Sequence, residues 1–165
     1  MICRLSITDF GDILDVINEA AQAYKGIIPQ DIWKEPYMST EELNAEITKG
    51  IEFYGWKEEG KLIGVMGIQQ VRDATLIRHA YTLTDYQRSG IGTKLLKHLL
   101  GLAQTRDVIV GTWEAAGWAI CFYEKHRFQR TCREETNKLL REYWSIPERQ
   151  VETSVVLRLI KQQLS

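Results

Sequence analysis

Residues 85–100 read DYQRSGIGTKLLKHLL, and they constrain the fold more than any other stretch of the chain. Ile91, Leu95, Leu96, Leu99, Leu100 and Ala103 recur at helical spacing and form one apolar stripe. TLIRHAYTL, just before, reads as a strand, and DVIVGTWE, just after, reads as a second, buried one. A strand–helix–strand unit of this length is a parallel crossover. Gly90 and Gly92 stand at the helix start, where a glycine costs about 0.5–1 kcal/mol relative to alanine. A helix N-terminus carries unpaired N–H groups and a partial positive charge, and a missing Cβ lets a phosphate approach them. A tight turn or close helix–sheet packing accounts for the same glycines equally well. Neither GxGxxG nor GxxxxGK[ST] occurs, which disfavours a nucleotide-dependent dehydrogenase or a phosphoryl-transfer enzyme.

The rest of the chain supplies the frame around this unit. Thr8–Ala23 reads as a helix capped by Asp9, with Ile13, Leu14, Ile17, Ala20 and Ala21 on one face. YKGIIPQDIWKEPYMS is irregular, of the kind that lines binding sites. STEELNAEITKG is a helix with Ser39 or Thr40 as cap and Gly50 as terminator. From Ile51 the period changes to that of two strands about a turn at Glu58–Lys61, with a third strand after Arg72–Ala74. Gly64–Val71 is apolar on both faces, as a covered central strand is. AAGWAICFYEKHRF reads as a helix running into a strand near Phe128–Arg133, EETNKLLREYW as a short helix, and ETSVVLRLI as the closing strand. No repeat or linker interrupts the sequence, which predicts a single domain over residues 1–165 with a core of its own.

Composition removes several classes. The 21 basic and 22 acidic residues nearly cancel, so no field draws the chain to nucleic acid or an anionic membrane. Cys3, Cys121 and Cys132 are widely spaced, with no CxxC and no Cys/His ligand pattern, which predicts no metal and a reducing compartment. The first residues carry acids where a signal peptide needs an apolar run, and no stretch approaches the roughly 20 apolar residues of a membrane span. The expectation is a soluble, cytoplasmic protein without nucleic-acid or membrane partners.

Gln87-Arg88-Ser89-Gly90-Ile91-Gly92 resembles the (Gln/Arg)-x-x-Gly-x-Gly/Ala signature of the GNAT superfamily of acyl-CoA-dependent N-acyltransferases. A second block, AICFYEKHRF at Ala119–Phe128, resembles that family's A-x-x-F-Y-E-K-x-G-F helix, in the family's order and spacing. Two positions depart from the pattern: Ala116 stands where the family often has Asn, and Arg127 where it usually has Gly. The resemblance covers most of Ile51–Phe128. It implies an α/β fold with a mixed, mostly antiparallel sheet, splayed near its centre and flanked by helices. It further implies acetyl-CoA as acyl-donor cosubstrate and a small-molecule or peptide amine as acceptor, with direct transfer in a ternary complex. An acyl-CoA-binding module without catalysis, or a protein or peptide N-acetyltransferase, is the alternative. Dimers are common in the family, though nothing in the sequence itself points to one.

The resemblance also assigns residues. Arg88, Ser89, Gly90, Ile91, Gly92 and Thr93 would hold the pyrophosphate, mainly through backbone N–H groups. Backbone of Tyr81, Thr82 and Leu83 would pair with the pantetheine arm, and an N–H near Thr82 or Leu83 would polarise the thioester. Tyr123 aligns with the tyrosine that protonates the departing thiolate. A phenol of pKa about 10 suits a thiol of about 8.5. Leu76 and Arg78 stand where some relatives carry a base, and neither can act as one. Glu114, at a strand end, is the first candidate base; as an alternative it is a solvated carboxylate or a helix-capping partner. His79 has a suitable intrinsic pKa but alternates with Ile77 and Tyr81, the pattern of a packed core histidine. Trp33, Glu35, Tyr37, Tyr143, Trp144 and Glu148 fall in the two segments expected to build the acceptor site, with surface or packing roles as the alternative.

Overall fold

The computed structural model describes residues 1–162. Its strands follow the order β1-β2-β3-β4-β5-β7-β6 in one sheet, flanked by helices. The chain divides into two compact units, one of Met1–Ala23, Lys34–Gln70 and Ile77–Ala103, the other of Tyr24–Trp33, Val71–Leu76 and the chain from Gln104 onward.

The first unit holds β1 (Ile2–Arg4), α1 (Phe10–Ala20), α2 (Thr40–Thr48), β2 (Glu52–Glu58), most of β3 (Lys61–Val71) and of β4 (Ala74–Thr82), and α3 (Ile91–Leu102). β1 and β2 pair antiparallel, as do β2 and β3. The turn between β2 and β3 uses positive φ at Glu59 and Gly60, the twist a short hairpin needs. Ile13, Ile17, Leu43, Phe53 and Val65 are all nearly inaccessible and pack together as this unit's core. β3 is buried from Leu62 to Gly67, as a central strand is.

The start of α1 differs from the sequence expectation. Asp9 closes a 3-10 turn, Ile7–Asp9, so its carboxylate faces backwards and accepts the Ser6 N–H at 2.8 Å. Lys57 Nζ takes the other oxygen at 2.7 Å. That hydrogen bond, with the one from the Ser6 backbone, holds the Asp9 carboxyl below its ordinary pKa. At α2 the expected cap is present: Ser39 Oγ accepts the Glu42 N–H at 3.1 Å.

The second unit holds β5 (Asp107–Trp113), α4 (Gly117–Lys125), β6 (Gln129–Arg130), α5 (Arg133–Tyr143), α6 (Glu148–Glu152) and β7 (Ser154–Ile160). β7 pairs antiparallel with β5, from Asp107↔Ile160 to Trp113↔Ser154, and with β6. Ile109, Leu140, Val151 and Val156 make its core. The helix α6, following Pro147, falls in a stretch to which the sequence reading assigns no element. Among the described residues no helix is long and apolar enough to cross a membrane, and no cluster of His, Cys, Asp or Glu is placed to hold a metal ion.

Candidate functional site

The glycine loop is built by its backbone. After β4 a 3-10 turn at Thr84–Tyr86 is followed by positive φ at Arg88 (63°) and at Gly90 (83°). Gly90 is the N-cap of α3 and makes no side-chain cap. A Cβ at Gly90 would meet nothing within 4 Å, so glycine is needed there for its left-handed conformation and leaves open space beside the helix end. Gly92 lies two residues further on, in the first turn of the helix, so the two glycines have different roles. Ser89 Oγ is turned away, donating to the Tyr86 carbonyl. Ile91 is buried, and a Cβ at Gly64 of β3 would lie 2.8 Å from its Cγ2. The missing side chain at Gly64 is what seats the first turn of α3 against the strand.

The end of β4 offers one amide fewer than the sequence implied. Leu83 N–H donates to the Ile63 carbonyl at 2.9 Å. Successive residues of a strand present their N–H groups to opposite edges, so the Thr82 N–H faces away from β3. Thr82, rather than Leu83, is therefore the amide not taken up by β3. The Thr82 carbonyl accepts Gln87 Nε2 at 3.2 Å.

Further up β4, His79 takes a positive φ of 54°. This breaks the alternation from which the sequence placed it on a core face with Ile77 and Tyr81. Arg78 Nη1 lies 3.1 Å from Glu46 Oε2 and His79 Nε2 lies 3.6 Å from the same oxygen, so adjacent residues reach one carboxylate of α2. The kink needs Gly67 opposite, because a Cβ there would come within 2.9 Å of the Arg78 carbonyl oxygen. Burial, against the pull of Glu46, lowers the His79 pKa and keeps the imidazole neutral. Glu46 feels the same burial upward, but His79 and Arg78 outweigh it and hold the carboxyl below its usual range.

In the second unit, Tyr123 is buried in α4, its ring edge-on to Phe122 and Phe128 with centroids 5.1 and 5.5 Å away. α4 ends in paired bonds: Phe128 N–H to the Tyr123 carbonyl at 3.1 Å and Arg127 N–H to the Glu124 carbonyl at 3.0 Å. Arg127 has φ 71°, the left-handed residue such an ending requires and glycine usually supplies. The helix end and the Phe128 ring thus fix Tyr123 through both backbone and side chain. Burial pushes its phenol well above the ordinary value, so it is protonated throughout the working range. Ala116, the N-cap of α4, is fully buried and makes no side-chain cap.

Glu114 stands just past the end of β5, but both of its oxygens are engaged. Arg130 Nη2 lies 3.4 Å from Oε1 and Arg133 Nη2 3.1 Å from Oε2. With a guanidinium group against each carboxylate oxygen, the geometry speaks for a structural pin. The expected acceptor residues of the later segment are also committed elsewhere. Tyr143 OH donates to Asp73 at 2.6 Å, which pushes its pKa up to about 12. Trp144 lies on Gly111, its Cζ2 3.3 Å from where a Cβ would stand. Glu148 pairs with Arg141. In the earlier segment, Tyr37 of the first unit meets the Tyr81 ring edge-on at 6.4 Å. Sequence reasoning missed Tyr24 stacked on Trp118 at 5.8 Å and the Asp31–Arg149 pair. No local pattern announces either, since both join distant parts of the chain.

A family model described as an acetyltransferase (GNAT) domain matches residues 18–141. Among solved structures, the fold is similar to that of the PaiA N-acetyltransferase from Thermoplasma acidophilum, determined in complex with coenzyme A: 20% identity, 98% of each chain covered, TM-score 0.73. It is similar to a GNAT-family acetyltransferase from Staphylococcus aureus Mu50, at 13% identity over 98% of this chain and 99% of that one, with TM-score 0.75. It is also similar to the ribosomal-protein-S18-alanine N-acetyltransferase from Escherichia coli, at 17% identity over 100% and 96%, with TM-score 0.70. No curated protein matches the chain.

Proposed function

The chain belongs to the GNAT acetyltransferase family, and from that premise we propose that it transfers an acetyl group from acetyl-CoA to a primary amine of a small molecule or peptide, by direct attack in a ternary complex. The observation that carries this reading is the start of α3 at a left-handed Gly90, with open space where a side chain would stand. N–H groups at the positive end of a helix suit a pyrophosphate. In this reading backbone of Arg88, Ser89, Gly90, Ile91, Gly92 and Thr93 anchors the cosubstrate. Backbone of Tyr81, Thr82 and Leu83 lies along its pantetheine arm, and the Thr82 N–H polarises the thioester carbonyl as negative charge develops.

Tyr123 supplies the proton that the leaving thiolate takes up. Its raised pKa favours this role over that of a base, and the burial that raises a phenol raises a thiol held beside it as well. Glu114 is left out as the base because two arginines hold it. The amine arrives neutral or sheds its proton to water. The same arginine grip favours one second reading, an acyl-CoA-binding module without turnover.

Release of free thiol from acetyl-CoA across a panel of amines and peptides tests the proposal. Turnover with at least one acceptor is expected, with Tyr123→Phe lowering kcat roughly a hundredfold and leaving CoA affinity unchanged. Thermal protection by acetyl-CoA with no thiol release for any amine would select the non-catalytic module.

A further inference from the structure

The segment Tyr24–Trp33 follows α1 in sequence yet belongs to the second unit, with α4 and α6. Beyond Tyr24, which ends a 3-10 helix, it has no helix or strand. Two turns shape it: Ile27 and Ile28 N–H groups donate to the Tyr24 carbonyl at 2.9 and 3.1 Å, and Ile32 and Trp33 N–H groups to the Pro29 carbonyl at 3.0 and 3.3 Å. Ile28 is its one buried side chain, at 4% exposure. A segment with so little burial needs other ties to keep one shape.

It has a tie near each end. Tyr24 stacks on Trp118, which stands at the start of α4 on the helix that carries Tyr123. Asp31 receives two bonds from Arg149, Nε to Oδ2 at 3.0 Å and Nη2 to Oδ1 at 3.3 Å. The fork-to-carboxylate geometry fixes direction as well as distance. Arg149 stands on a firm base: Glu152, one turn on, lies 3.5 Å from its Nη1, Arg141 of α5 pairs with Glu148, and Val151 of α6 is in the core. The anchored partner is therefore Arg149, and the partner that gains its place from the bond is Asp31. The pair also joins the two stretches in which the sequence expects the acceptor site.

We propose that Asp31 and Arg149 are positioning residues for the amine acceptor, a clamp that holds Tyr24–Trp33 in the shape the acceptor meets beside Tyr123. The proposal rests on the acetyltransferase reading. It assigns the clamp to the acceptor because the segment lies in the unit of Tyr123, whereas the glycine loop assigned to the cosubstrate is in the other.

Asp31→Ala, Arg149→Ala and the double variant test it by two readouts. The first is hydrogen exchange of the Ile27, Ile28, Ile32 and Trp33 amides. The second is steady-state kinetics with the best amine of the panel, beside CoA affinity measured by calorimetry. Each single variant is expected to lose protection in this segment and to raise the acceptor KM about threefold to tenfold, with kcat and CoA affinity held. The double variant should be no worse than either single one, since both break one interaction. Unchanged protection overturns the proposal, and so does lost protection with an unchanged acceptor KM. Wild-type protein that acetylates no amine overturns the reading beneath it, a result distinct from active variants that match wild type.

Discussion

The guanidinium of Arg133 sits 3.1 Å from the carboxylate of Glu114, joining residues 19 apart in sequence. The pair ties the end of β5 to the first turn of α5, and Arg133 also donates to the Val151 and Ser154 carbonyls at 3.1 and 2.9 Å. Both side chains are roughly half exposed, so water screens the ion pair to about 1 kcal/mol or less. Glu114→Gln should keep turnover within a few-fold of wild type in the thiol-release assay. Loss of a general base costs about a hundredfold or more, and a fall of that size would restore Glu114 to the chemistry.

Gly90→Ala tests the loop without a clash. The added methyl has open space but must adopt φ 83°, so the expected cost is about 1–2 kcal/mol of stability, read from denaturant unfolding. Coenzyme A affinity should fall with it, and Gly90→Val should abolish binding. Alanine with unchanged affinity would show that the helix start is not a phosphate site.

Arg127→Gly should stabilise the protein. Arg127 holds the left-handed position at the end of α4, and glycine there removes about 1 kcal/mol of strain. A rise in Tm with unchanged turnover is expected, because the Phe128 and Tyr123 contact is untouched. A fall in Tm would mean that the arginine side chain contributes more than its backbone costs.

His79 gives stability a pH dependence of defined sign. Its folded pKa lies below the ordinary value of 6.5, first through burial, so the unfolded chain takes up a proton that the folded chain refuses. The stabilisation is complete above about pH 6.5 and is lost as pH falls toward the lowered folded value. Glu46 adds to the loss below its ordinary value of 4.5, where the unfolded carboxylate protonates first. Thermal melts between about pH 7.5 and 5.5 should slope downward for wild type and flatten for His79→Asn, since asparagine tolerates positive φ. Equal slopes would remove His79 as the cause.

The parts of the fold written in short-range pattern were legible. Ile91, Leu95, Leu96 and Leu99 at helical spacing are the buried face of α3, and Glu58–Lys61 contains the hairpin turn. The local structure of the candidate site was legible at Gly90, which starts α3, and around Tyr123, which lies on α4. It was illegible where a long-range partner decides. Nothing near Glu114 announces Arg133, and nothing near His79 announces that Gly67 across the sheet lets β4 kink and turn two neighbours to Glu46. Asp9 failed as a cap because an extra turn precedes α1, a shift of one element boundary that propensity does not resolve.

Gly111 of β5 is filled from outside its own residue: Trp144 Cζ2 occupies the space a side chain would take, with Leu140 Cδ2 at 3.5 Å behind it. The two positions therefore share one volume. Across the family, a larger residue at the place of Gly111 should go with a smaller one at the place of Trp144, and a chain that enlarged both would have to move α5 off the sheet. Change at one of these sites is thus coupled to change at the other.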